Sequence, residues 1–100
     1  MLLTQREMDR LLIFTAAELA RKHRAQGLKL NYPEAAALLC DEIMEGARSG
    51  RSLPEVRAAA YEVLTSDDVM PGVPELLGKL EVEALFPDGT KLITLHHPIK

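Results

Sequence analysis

Residues 31–51, NYPEAAALLCDEIMEGARSGR, decide the fold, because they read as one buried helix with both ends marked. Asn31 followed by Glu34 fits a capping box, in which the Asn side chain accepts from a first-turn amide and the Glu reaches back to the Asn amide. Pro33 costs no hydrogen bond there, since first-turn amides have no intrahelical partner. At ~100° per residue, Ala36, Leu39, Cys40, Ile43 and Ala47 share a face, which Ala35, Ala37, Leu38 and Met44 widen on either side. Only Glu34, Asp41, Glu45 and Arg48 are left as a strip for water. A helix apolar around most of its circumference needs neighbours on several sides, so the flanking segments are expected to pack around it. Gly50 closes it.

Outward from this helix, the same start signal recurs. Thr4 with Glu7 opens a first helix over about 5–26 that Gly27 stops, and Ser52 with Glu55 opens a third over about 53–65. On the first, Met8, Leu11, Leu12, Ala16 and Leu19 form a stripe, with His23 on its extension, that reads as the face docked on the core. Arg21, Lys22, His23 and Arg24 crowd its last turn, where cations complement the helix dipole. The apolar face of the third helix is Leu53, Val56, Ala60, Val63 and Leu64. Leu28 or Leu30 staples the joint between the first two helices. Residues 66–78, SDDVMPGVPELLG, read as a connector with a short helical turn at about 74–77, and as the segment likeliest to move.

The period then changes. Leu80, Val82, Ala84 and Phe86 alternate with Glu81 and Glu83, Pro87-Asp88-Gly89 supplies a turn, and Leu92–His96 returns. Strands over about 79–86 and 90–96 give a β-hairpin. The fold class is therefore α+β, mainly α: a three-helix bundle with a short fourth helical turn and a C-terminal β-hairpin, as a single domain over residues 1–100. A lone hairpin is marginal in water, so it must lie on the helices or meet another chain. The candidate subunit-interface residues are Leu85, Leu92, His96, His97 and Ile99.

Composition narrows function. The net charge of -3 argues against nucleic acid, and the third helix offers only Arg57 as a basic residue to a DNA groove. Charge interrupts the apolar residues near the N-terminus, so neither a signal peptide nor a membrane span is expected. The single cysteine, Cys40, can form no intrachain disulfide and suits a reducing cytoplasm. It reads as a small core residue and not a reactive thiol. His96 and His97 are neighbours in a strand, pointing to opposite faces, and should not chelate one ion. His23 has no helical chelating partner, and Asp67 and Asp68 read as turn or capping residues. No catalytic residue, metal ligand or cofactor site is expected in this chain.

The sequence resembles the urease gamma-subunit family. The resemblance runs through Leu3-Thr4, Glu7 and Leu11-Leu12, then Gly27-Leu28-Lys29-Leu30-Asn31 with Pro33-Glu34-Ala35. It continues through Glu45-Gly46-Ala47-Arg48 with Gly50-Arg51, then Val69-Met70 with Gly72-Val73, and finally Val82–Ile99, VEALFPDGTKLITLHHPI, the most specific part. The length matches the free-standing bacterial form. The resemblance implies a nickel enzyme of urea degradation in nitrogen metabolism, hydrolysing urea to ammonia and carbon dioxide via carbamate. It implies assembly with alpha and beta chains, other gamma chains around a threefold axis, and two nickel ions on the alpha chain. The family often carries His where this chain has Tyr32, and Asn where it has His97. From the residues alone, a regulatory or adaptor module binding another protein through the hairpin is the alternative.

Overall fold

Each long helix begins where its sequence closes a capping box. In the computed structural model, which describes residues 2–100, the side chains of Thr4, Asn31 and Ser52 accept from the amides of Glu7, Glu34 and Glu55, whose carboxylates return the bond. The elements are helices α1 (Gln5–Ala25), α2 (Tyr32–Arg48), α3 (Leu53–Ala60) and α4 (Val73–Leu76), with strands β1 (Lys79–Phe86) and β2 (Gly89–His96). The fold is α+β and mainly α, as expected. Burial of Leu30 and exposure of Leu28 make Leu30 the staple between α1 and α2.

Helix α2 is the hub: α1, α3, α4 and β1 all pack on it. Its first half, through Ala35, Leu38 and Leu39, enters one core cluster with Ala20, Leu30, Leu64, Val69, Val73, Leu77 and Ile99. Its second half, through Ile43 and Ala47, enters another with Val56 and Ala60 of α3 and the inward faces of both strands, Val82, Ala84, Phe86, Ile93 and Leu95. Leu80 touches both clusters. The hairpin thus lies on the helices with one face. The strands are antiparallel in the register Phe86↔Gly89 to Lys79↔His96, and Gly89 takes φ 128° at the turn, a conformation that glycine adopts without a Cβ clash.

Three local expectations are corrected. First, α3 ends at Ala60, not near Thr65. The amides of Glu62 and Val63 bond back only three residues, tightening the last turn. Leu64 is buried, but in the first cluster, whereas Ala60 lies in the second; the chain leaves the α3 axis to cross between them. The hydroxyl of Tyr61 fixes the departure, donating to the His96 carbonyl (3.1 Å) and accepting from the His96 amide (3.0 Å).

Second, the connector holds more regular structure than the one short helical turn expected of it. A 3₁₀ turn at Ser66–Asp68 precedes a parallel bridge between Leu30 and Val69. There the Leu30 amide donates to the Asp68 carbonyl (3.0 Å) and the Met70 amide to the Leu30 carbonyl (2.8 Å). The Asp68 carboxylate accepts from the Thr65 amide and pairs with Arg24. The Ser66 amide donates to the carbonyl of Lys100 (2.8 Å), tying the last residue to the same place.

Third, α1 docks through the face opposite to the one its apolar stripe suggests. Its buried residues are Ala17 and Ala20, with Arg10, Ile13 and Arg21 half-buried, while Met8, Leu11, Leu12, Ala16 and Leu19 are exposed.

Replacing Tyr61 with Phe removes both hydroxyl bonds and should cost about 1–2 kcal/mol in urea denaturation, with faster hydrogen exchange at the His96 amide. Unchanged stability and exchange would mean that the hydroxyl does not hold the hairpin to α3.

Candidate subunit interface

What α1 presents inward is arginine and alanine. At 100° per residue, Arg6, Arg10, Ile13, Ala17, Ala20, Arg21 and Arg24 fall within about 100° of arc, and each arginine there meets acid. Arg6 lies 3.6 Å from Glu83, and Arg24 3.2 Å from Asp68. Between them stands Asp41 of α2, only 2% exposed and not in the strip for water where its position in the helix suggests. Arg10 donates to its Oδ1 at 2.8 Å and Arg21 to its Oδ2 at 2.6 Å. Arg10 also reaches Glu45 (3.3 Å), and Arg21 reaches Glu42 (2.9 Å) and Glu18. These carboxylates raise the Arg21 pKa above its ordinary value although burial opposes the charge. The cost of desolvating Asp41 is thereby met by two charge-assisted hydrogen bonds. Small side chains at 17 and 20 let the two helices approach closely enough for the arginines to reach.

On the far side of α1 the apolar stripe faces out. Leu12 is 67% exposed, and Met8, Leu11 and Leu19 are each close to half exposed. The outer face of the hairpin continues the theme. Leu85 and Leu92 are 66% and 57% exposed, and the register places them diagonally across the ladder on the same face as His96. A groove of about 840 Å³ runs between the two surfaces, floored by Leu11, Ile13, Met44, Val82 and Leu85 and rimmed by the Arg6–Glu83 pair. A second, of about 600 Å³, lies beside Leu19, His23, Leu28 and Met70. The larger groove is lined by charged side chains as well, among them Arg6, Arg10, Glu45, Arg48 and Glu83; exposed apolar side chains clustered within a polar rim mark places where proteins meet.

The remaining candidates are accounted for singly. His96 is exposed at the end of β2 and His97 stands just beyond it at φ 49°, over Gly78, whose carbonyl accepts from the His97 amide at 2.7 Å. That left-handed backbone is one that Asn tolerates better than His. Ile99 is 3% exposed, packed into this chain's own core. His23 is half-buried and pairs through Nδ1 with Glu34. Burial works against the charge on Glu34, but the Asn31 amide and His23 still hold its carboxyl below the ordinary value of 4.5. Cys40 is unpaired and partly buried, and burial together with Asp41 pushes its thiol up to about 11, which keeps it protonated and unreactive at neutral pH. Among the described residues, no three His, Cys, Asp or Glu side chains are placed to hold a metal ion, and no helix is long and apolar enough to cross a membrane.

Residues 1–99 match the family described as urease, gamma subunit. The chain belongs to the urease gamma-subunit family. It is 59% identical over 100 residues to the urease subunit gamma/beta of Pseudomonas syringae pv. syringae, and equally so to that of Pseudomonas syringae pv. tomato. All of this chain is covered in both comparisons, but it spans only 43% of the length of those relatives. The gamma-subunit chain therefore combines a self-contained acid–base clamp inside with an apolar helix face outside. Reading α1 by hydrophobicity alone misses both; the signal that finds them is that every arginine of α1 falls on one stripe.

Two outcomes follow from the charges. Removing both clamp arginines (Arg10→Ala with Arg21→Ala) strands a buried carboxylate and should cost about 3–5 kcal/mol. Asp41→Asn, which leaves the arginines with Glu18, Glu42 and Glu45, should cost only about 1–2 kcal/mol; equal losses in denaturant titration would contradict the clamp. Because the Glu34 carboxyl is held below its ordinary value in the folded chain, its contribution is present above about pH 4.5 and lost as pH falls through the folded value. The stability gap between wild type and Glu34→Gln should therefore narrow on acidification below that pH. A gap independent of pH from 7 to 3 would show that the charge contributes nothing.

Proposed function

We propose that this chain is a non-catalytic, structural subunit of a urease, the nickel-dependent enzyme that hydrolyses urea to ammonia and, through carbamate, carbon dioxide. The observation that carries this reading is the outward apolar face of α1 in a chain of the gamma-subunit family. Each of Met8, Leu11, Leu12 and Leu19 forgoes part of the ~1.5–3 kcal/mol that full burial of such a side chain contributes. A partner surface restores it. On this reading the outer faces of α1 and of the hairpin pack on the alpha chain, with the beta chain in the same assembly and other gamma chains around a threefold axis. The naming of the relatives as urease subunit gamma/beta supports gamma and beta chains acting together.

Leu85, Leu92 and His96 supply direct contact surface, and His97 and Ile99 fix the end of the hairpin from which it is presented. On the same reading the two nickel ions belong to the alpha chain and no catalytic step runs through this chain; among the described residues no three histidine, cysteine or carboxylate side chains are placed to hold a metal ion. Its place is the cytoplasm, in keeping with a single protonated thiol.

Co-expression with candidate large subunits, followed by size exclusion with nickel and urea-hydrolysis readings on each fraction, tests the reading. The expected result is co-elution with both signals, and loss of this chain from the complex when Leu12 and Leu19 are replaced by Asp without loss of its own fold. Elution of this chain alone, beside large chains that are active without it, would contradict the proposal.

A further inference from the structure

We infer that the charges of the Arg10–Asp41–Arg21 clamp select which face of α1 this chain buries, and so keep its apolar stripe turned outward. Two faces of α1 compete for α2. One carries Met8, Leu12 and Leu19, larger and more apolar than the alanines at 17 and 20 that are buried instead. On hydrophobicity alone the stripe would win, as the periodicity of the sequence suggests. What opposes it is on the surface of α2: a carboxylate at Asp41, 2% exposed and bonded on both oxygens by α1. Rotating α1 to bring the stripe inward would withdraw both arginines and leave that carboxylate among leucines, which the interior penalises heavily.

The arrangement spans the helix. Arg10 and Arg21 are eleven residues apart, close to three whole turns, so a single carboxylate lying between them pins rotation about the axis as well as position along it. Glu45 and Glu42 extend the same charge pattern beyond Asp41, each bonded to one of the two arginines. On this inference the ion pairs act on orientation, the use that a buried polar group has in setting the register of some coiled coils. Arg10, Asp41 and Arg21 are positioning residues, acting on a surface to which none of them belongs. The device does not depend on which partner the stripe meets.

The test uses thiol labelling in the 100-residue chain, with Cys40→Ala removing the native thiol and Leu12→Cys placing one probe on the stripe. With the clamp intact the probe should label rapidly. In the neutral variant Arg10→Gln, Arg21→Gln, Asp41→Asn, labelling should slow about ten-fold as states with the stripe inward become the major population. Asp41→Asn alone, which removes one charge and no volume, should slow it in the same direction and provides the reading if the triple variant does not fold. Arg10→Lys with Arg21→Lys, which keeps the charges, should label as fast as the parent. Either variant, the triple or Asp41→Asn alone, that folds and labels at the parent rate overturns the inference. Slow labelling of the lysine variant overturns it too, because charge would then not be the selector.

Discussion

A carboxylate taken out of water must be met by charge or by hydrogen bonds, and Asp41 is met by both from a single helix. That constraint sits on α2, the element on which α1, α3, α4 and β1 all pack. The core clusters along α2 account for the helices and hairpin on its other sides, where burial of Leu38, Leu39, Ile43 and their neighbours is the driving term. The α1 side is different. There the contact is made by alanines that permit close approach and arginines that reach across, so geometry and charge replace bulk apolar burial.

This division explains why a chain of this size shows so much hydrophobic surface. The residues that would ordinarily enlarge the core, Met8, Leu11, Leu12 and Leu19, are held away from it. The outer face of the hairpin adds Leu85 and Leu92, while its inner face is fully committed to α2 and α3. Tyr61 locks the hairpin to the end of α3, and the Ser66–Lys100 bond closes the C-terminus onto the connector. The outward faces are therefore carried on elements already fixed by the chain itself, the arrangement expected of a subunit that presents a preformed surface.

Most of the fold was legible in the sequence because its signals are local. Thr4 with Glu7, Asn31 with Glu34 and Ser52 with Glu55 mark helix starts by chemistry confined to one turn, and the alternation from Leu80 to Phe86 marks a strand. The end of α3 was not legible: Val63 and Leu64 continue the helical period, but Leu64 is needed in a different cluster, a demand that only the tertiary structure reveals. The Leu30–Val69 bridge was hidden for the same reason, since its partners are far apart in sequence. At the candidate interface, Leu85, Leu92 and His96 could be placed on one face by strand alternation alone. Hydrophobic period assigns the α1 stripe to the core because it identifies an apolar face without saying what covers it. Helical position alone assigns Asp41 to water, because one carboxylate in an apolar helix carries no mark of burial until the arginines of α1 are set beside it.

In the proposed assembly, the outward stripe of α1 is the surface on which this urease gamma-family chain meets its partners. Hydroxyl-radical footprinting of Met8, 45% exposed in the free chain, tests this when the chain is compared alone and in complex with its large subunits. Met8 should be oxidised rapidly in the free chain and strongly protected in the complex. Equal oxidation of Met8 in a verified, active complex would contradict it.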